Sequence, residues 1–89
     1  MRIDAAEINM HNAAQVVAAG IEAIRAGDAT FDLSGVRNCD SSAVAVALAW
    51  QREADARGLP LRLGAVPPGL LSLATVYGVA PLLSLGQDA

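Results

Sequence analysis

The sequence predicts an α/β fold: about four strands in a mainly parallel or mixed sheet, with helices mainly on one face. Three observations lead there. Segments with helical apolar spacing alternate with short segments in which apolar and polar residues take turns. Gly and Pro mark the joints between them. Strands separated by helices require crossover connections, which make neighbouring strands parallel.

Met1 to Ile8 reads as a short initial strand. From Asn12, the apolar residues Ala13, Val16, Val17, Ile21 and Ile24 lie on one helical face. Asn12 has the chemistry of an N-cap, Gln15 stands where a capping-box partner would, and Gly27 offers a left-handed stop. Phe31-Asp32-Leu33-Ser34 alternates as a half-buried strand does, and Ser34 to Asn38 reads as the turn after it. A second helix is expected from about Ser41 to Arg57, apolar nearly all round as far as Trp50 and polar thereafter, and ended by Gly58-Leu59-Pro60.

Leu61 to Val66 alternates again, as a strand. Pro67-Pro68-Gly69 opens a third helix, with Leu70, Leu73, Ala74 and Tyr77 as its buried stripe and Gly78 as its stop. Val79 to Leu85 is expected to close the chain as an edge strand. The alternation of the strands places the helices over one sheet face more fully than the other. With 89 residues and no repeat, linker or low-complexity tract, residues 1–89 read as a single domain.

Composition narrows the function. The chain is 54% apolar, enough for a core in a domain that buries about two-thirds of its unfolded surface. Its net charge is −3, and its basic residues are six scattered arginines, so it lacks the basic patch that nucleic-acid binding requires. No apolar run approaches the roughly 20 residues of a membrane-spanning helix. The N-terminus turns acidic at Asp4, unlike a secretory signal, and Cys39 is a lone cysteine. These features point to a soluble cytoplasmic protein.

Catalytic apparatus is not visible. One histidine, His11, and one cysteine, Cys39, cannot anchor a zinc site, so no metal is expected. A Cys–His nucleophilic pair is conceivable, but a cysteine in an apolar-leaning turn is more often packing than nucleophile. There is no Gly-rich loop ending in Lys-Ser or Lys-Thr, and no cofactor is expected. Trp50 fits a core better than an interface anchor. The all-round apolar stretch from Ala43 to Trp50 nevertheless argues for some interface, since a lone helix on a small sheet cannot bury every side.

The most informative spot is Asp40-Ser41-Ser42, two hydroxyls and a carboxylate where a loop enters a helix. A helix cap accounts for one of the three. The other use of such a place is an anion site, where free N–H groups and the helix dipole favour a phosphate on a first-turn hydroxyl.

Asp32-Leu33-Ser34-Gly35-Val36, Asp40-Ser41-Ser42-Ala43, Leu48 to Arg52, Val66-Pro67, Leu73-Ala74, Tyr77-Gly78-Val79 and Leu82-Leu83 occur in the order seen in the STAS family. The chain resembles that family from about Ile8 to Leu85, and the Leu-Ser-Gly-Val and Leu-Ala-x-x-Tyr-Gly-Val segments most resemble its MlaB branch. The resemblance implies the STAS fold of the sporulation anti-sigma-factor antagonists. It implies a non-catalytic subunit that docks on the ATPase (MlaF-like) of an ABC transporter moving phospholipid to maintain outer-membrane lipid asymmetry, with the permease nearby. Such a subunit would be cytoplasmic and peripheral at the inner membrane.

The same resemblance makes Ser41 the phosphoacceptor candidate. It puts Asn9, Met10, His11, Asn12, Asp40, Ser41, Ser42 and Ala43 at the partner-binding surface. The alternative it carries is an anti-anti-sigma factor, bound by an anti-sigma kinase and released by phosphorylation at Ser41. A small enzyme using Cys39 or His11 ranks far below both. Two departures stand out: the opening before the Ile8–Asn12 loop is shorter than in many members, which have an extra strand there, so a sheet edge can be left bare, and Ala43 replaces a glycine frequent in the family.

Overall fold

The computed structural model describes residues 1–78 and contains three helices among short parallel strands. The elements are β1 (Glu7–Ile8), α1 (Ala13–Arg25), β2 (Thr30–Asp32), β3 (Asn38–Cys39), α2 (Ser42–Ala56), β4 (Arg62–Gly64) and α3 (Pro68–Val76). β1 pairs with β3 and β2 with β4, both in parallel. An isolated parallel bridge joins Arg2 to Asp32.

The N-terminal segment therefore runs beside the central path twice, at residues 1–3 and again at 6–8. Ile3 N–H donates to the Asp32 carbonyl at 2.9 Å, and Arg37 N–H to that of Ala6 at 2.8 Å. Between these points the ladder is open. The Ser34 N–H donates to the Asp32 carboxylate at 2.8 Å, and the Val36 N–H turns back to the Leu33 carbonyl at 3.0 Å. Those local bonds fold the chain at Ser34–Arg37 and split the central path into β2 and β3. In place of one four-stranded sheet, the described residues form two parallel pairs. The expected strand over Val79 to Leu85 lies outside those residues.

Phe31 and Leu33, Leu61 and Leu63 are buried, while Thr30, Asp32 and Arg62 between them are exposed. The helices cover the apolar face. The expected strand over 61–66 stops at Gly64 because Ala65 adopts φ 54°, left-handed backbone that a strand cannot include.

At the core, Trp50 is 1% exposed and meets Phe31 edge-to-face, with ring centroids 5.0 Å apart and planes at 80°. Such an aromatic pair adds about 0.5–1.5 kcal/mol to what burial alone contributes. The indole N–H donates to the Val17 carbonyl on α1 at 3.3 Å, so its one polar atom is satisfied. Trp50 is core, as its size suggests. Gly20 on α1 makes this possible: a methyl there would lie 2.1 Å from the indole nitrogen. α1 then ends as its sequence indicates, with Gly27 at φ 96° and the Asp28 N–H donating to the Ala23 carbonyl at 2.9 Å.

The apolar half of α2 needs no outside partner to explain it. α2 packs against both α1 and α3, burying Ala43, Val44, Val46, Ala47 and Trp50 on more than one side. On α3, Leu70 and Ala74 are buried and Leu73 partly so, but Tyr77 is 56% exposed. Tyr77 closes α3 as its C-cap, so the stripe expected to include it ends at Ala74.

Candidate functional site

The Asn9–Asn12 loop and the Asp40–Ala43 helix entrance leave neighbouring parallel strands, β1 and β3, at the same end. They are joined at once, because the Asp40 N–H donates to the Ile8 carbonyl at 3.1 Å. The carboxyl ends of parallel strands are where α/β folds present their loops for binding.

Within the first loop, asparagine side chains replace a hydrogen-bond ladder. The Asn9 carboxamide oxygen accepts the His11 N–H at 2.9 Å, and that of Asn12 accepts the Asn9 N–H at 2.9 Å. The Asn12 amide donates to the Glu7 carbonyl at 2.7 Å. Asn12 therefore precedes α1 as expected but caps no helix N–H, and the predicted capping box is not formed. Its side chain reaches back to close the loop. Asn-side-chain turns of this kind hold a chain in shape without regular structure. The loop's tip is Met10, 76% exposed.

The second loop is organised by Asp40. Its carboxylate accepts the Ser42 hydroxyl and, at 2.8 Å, the Ser42 N–H. The Ser42 hydroxyl, the Ser42 N–H, the Met10 N–H and the charge of His11 together hold the Asp40 carboxyl below the usual carboxylate range. The carboxylate's contribution to stability is present above the unfolded-state carboxylate value and is lost as the pH falls through the lower folded value. The tie between the two loops is the main-chain bond from the Asp40 N–H to the Ile8 carbonyl, beside the β1–β3 pairing.

The cap thus belongs to Asp40 and not to Ser41. Ser41 already has helical backbone, φ −62° and ψ −21°, and its side chain makes no capping bond. Among the described residues its hydroxyl has no hydrogen-bond partner, and the residue is exposed. Ser42 is half-buried, and Ala43, at 1% exposure, points into the core and supports the surface from beneath. Asp40→Ala should lower the thermal midpoint, whereas Ser41→Ala should leave stability within about 0.5 kcal/mol of wild type. Thermal melts of the two variants check this; equal losses would return a capping role to Ser41.

Cys39 is half-buried below the site, beside Gly69 of α3. Burial, and then the Asp40 charge, push its thiol up, away from the thiolate a nucleophile needs. Among the described residues no group of three or more His, Cys, Asp or Glu side chains could hold a metal ion. A shallow groove of about 230 Å³ runs between Glu7, Ile8 and Asn9 on one side and Asn38, Cys39 and Asp40 on the other. An open groove lined by both apolar and polar atoms suits a protein surface.

The structure thus brings Asn9 to Asn12 together with Asp40 to Ser42. Sequence reasoning missed how they are tied. The Glu7 and Ile8 carbonyls anchor the two loops, and an Asn-x-x-Asn spacing flanking Met10-His11 is the signal that points to the first anchor. No helix among the described residues is long and apolar enough to cross a membrane.

The family model described as "Mlab, STAS domain" matches residues 5–84, a span that includes both loops. No curated protein matches the chain.

Proposed function

Because the chain belongs to the MlaB-type STAS domain family, we propose that it is a non-catalytic binding subunit acting as a single domain. It docks in the cytoplasm on the ATPase of a phospholipid-transporting ABC transporter and supports that transporter's assembly or activity. Through this partner it is held at the inner membrane. The contact surface is the paired loops, Asn9 to Asn12 and Asp40 to Ala43, with Met10 as the exposed apolar anchor and Ala43 as internal support.

The observation that carries the reading is that both loops leave the same end of the paired strands β1 and β3, tied by the Asp40 N–H to the Ile8 carbonyl, with Ser41 exposed between them and the helix. A preorganised surface loses less conformational entropy on binding than two independent loops would. The shallow groove, lined by both apolar and polar atoms, resembles an interface more than an enclosed substrate pocket.

One feature favours a second reading. The outward, unbonded Ser41 hydroxyl at the start of a helix suits a phosphoacceptor, since the helix end favours the added charge. In that case the protein is an anti-anti-sigma factor released from an anti-sigma serine kinase by phosphorylation at Ser41. Affinity capture separates the two. Tagged protein should retain a transporter ATPase encoded beside it and should hydrolyse no ATP alone. Recovery of a serine-kinase anti-sigma factor without that ATPase would select the second reading.

A further inference from the structure

The open stretch of the ladder has a chemistry of its own. Where β1–β3 and β2–β4 part, a cleft of about 360 Å³ lies between the N-terminal segment and the Ser34–Arg37 turn. Arg2 and Ile3 stand on one wall, Ser34, Gly35 and Arg37 on the other, and Asp4 at the same rim. The Arg2 guanidinium lies across Gly35, where a methyl would come within 3.1 Å of Nη2.

The chain has six arginines, and two of them, Arg25 and Arg57, are held by Glu53 at 3.6 and 2.7 Å. Arg2 and Arg37 form no ion pair among the described residues, and Asp4 pairs with neither. Asp32, outside the cleft lining, accepts the Ser34 N–H, and its charge acts on Arg2. Among the residues lining the cleft, two arginines stand against one carboxylate, that of Asp4, in a chain of net charge −3.

The backbone adds donors. Among the described residues, the N–H groups of Asp4, Ala5, Ala6 and Gly35 make no hydrogen bond within the chain, because the broken ladder offers them no carbonyl. Free N–H groups beside two planar guanidinium forks are the donor set that recognises a tetrahedral oxyanion. We propose that this cleft binds a phosphate group, with Arg2 and Arg37 as its charged ligands and the Gly35 backbone as its close approach. Gly35 leaves its backbone open on the side where Arg2 lies. The site is separate from the paired-loop surface and holds whether or not that surface meets an ATPase.

The phosphate can come from a soluble phosphate compound or from a lipid headgroup, and one experiment distinguishes them. Isotope-labelled protein is titrated with inorganic phosphate at constant ionic strength, with chloride as control, while amide resonances are followed by NMR. The expected result is a saturable shift at Asp4, Gly35 and Arg37, weakened about tenfold or more in Arg37→Ala. Arg2→Ala should act similarly, and Arg52→Ala, away from the cleft, should not. In parallel, the protein is sedimented with phosphatidylglycerol vesicles and with phosphatidylcholine vesicles. Retention by the former, lost in Arg37→Ala, assigns the phosphate to an anionic lipid headgroup. Saturable phosphate shifts without vesicle retention assign it to a soluble compound. Absence of saturable shifts, or equal shifts around Arg52 and Arg62, overturns the proposal.

Discussion

Gly20→Ala is expected to destabilise the protein by about 2 kcal/mol, even though alanine is the better helix former. Helix propensity favours the change by about 1 kcal/mol. Against it stands an overlap that no rotamer relieves: the new methyl falls 2.1 Å from Trp50 Nε1 and 2.5 Å from Cε2, in the body of a buried ring. Overpacking of a filled core costs about 1–3 kcal/mol, and displacing the indole also weakens its bond to the Val17 carbonyl, worth about 1 kcal/mol. The ring cannot move freely because Phe31 packs edge-to-face with it. In a small domain a loss of that size lowers the melting midpoint by roughly 10 °C. Urea unfolding of wild type, Gly20→Ala, Trp50→Leu and the double variant measures the coupling directly. The smaller leucine should leave room for the methyl, so the penalty should shrink or reverse in that background. A neutral or stabilising Gly20→Ala in the wild-type background would mean that α1 and α2 are not packed through this contact.

The same residues show what could be read from sequence and what could not. The positions of α1, α2 and α3 were legible because apolar spacing and Gly or Pro punctuation act locally. The one-sided alternation of Phe31, Leu33, Leu61 and Leu63 was legible for the same reason. Gly20 was not. A glycine inside an apolar helix face reads as a weak helix residue until its neighbour across the interface is known, and that neighbour is thirty residues away.

The short β3 was missed because two residues carry no period, and its pairing depends on carbonyls of the N-terminal segment. Ala65 ended β4 early through a backbone angle that its residue type does not announce. At the site, Asp40, Ser41 and Ser42 stand out in the sequence as a group, yet their roles needed geometry. Any of the three has the chemistry of a cap, and only the bonds to Ser42 show that Asp40 takes it. Asn12 likewise has the chemistry of a cap but finds a stronger use in closing its own loop.

Ser41→Glu should melt near wild type and bind the proposed ATPase partner at least about a hundredfold more weakly. The fold tolerates the change because Ser41 is exposed, makes no hydrogen bond that the substitution breaks, and lies at a helix N-terminus, where the dipole favours an anion by about 0.3–1 kcal/mol. Asp40 beside it offsets part of that gain, so the net effect on stability stays small. Binding responds differently. At a closed interface the new carboxylate loses water and meets no matching cation on this chain. An uncompensated buried charge costs about 3–5 kcal/mol, which is more than a hundredfold in affinity. Ser41→Ala, which removes only the hydroxyl, separates loss of that group from gain of charge and should bind within a few-fold of wild type. The deciding measurement is the dissociation constant of Ser41→Glu for the transporter ATPase, taken alongside its melting midpoint. A large loss of affinity at unchanged stability is the result this account predicts; wild-type affinity for that ATPase would place the interface elsewhere and contradict it.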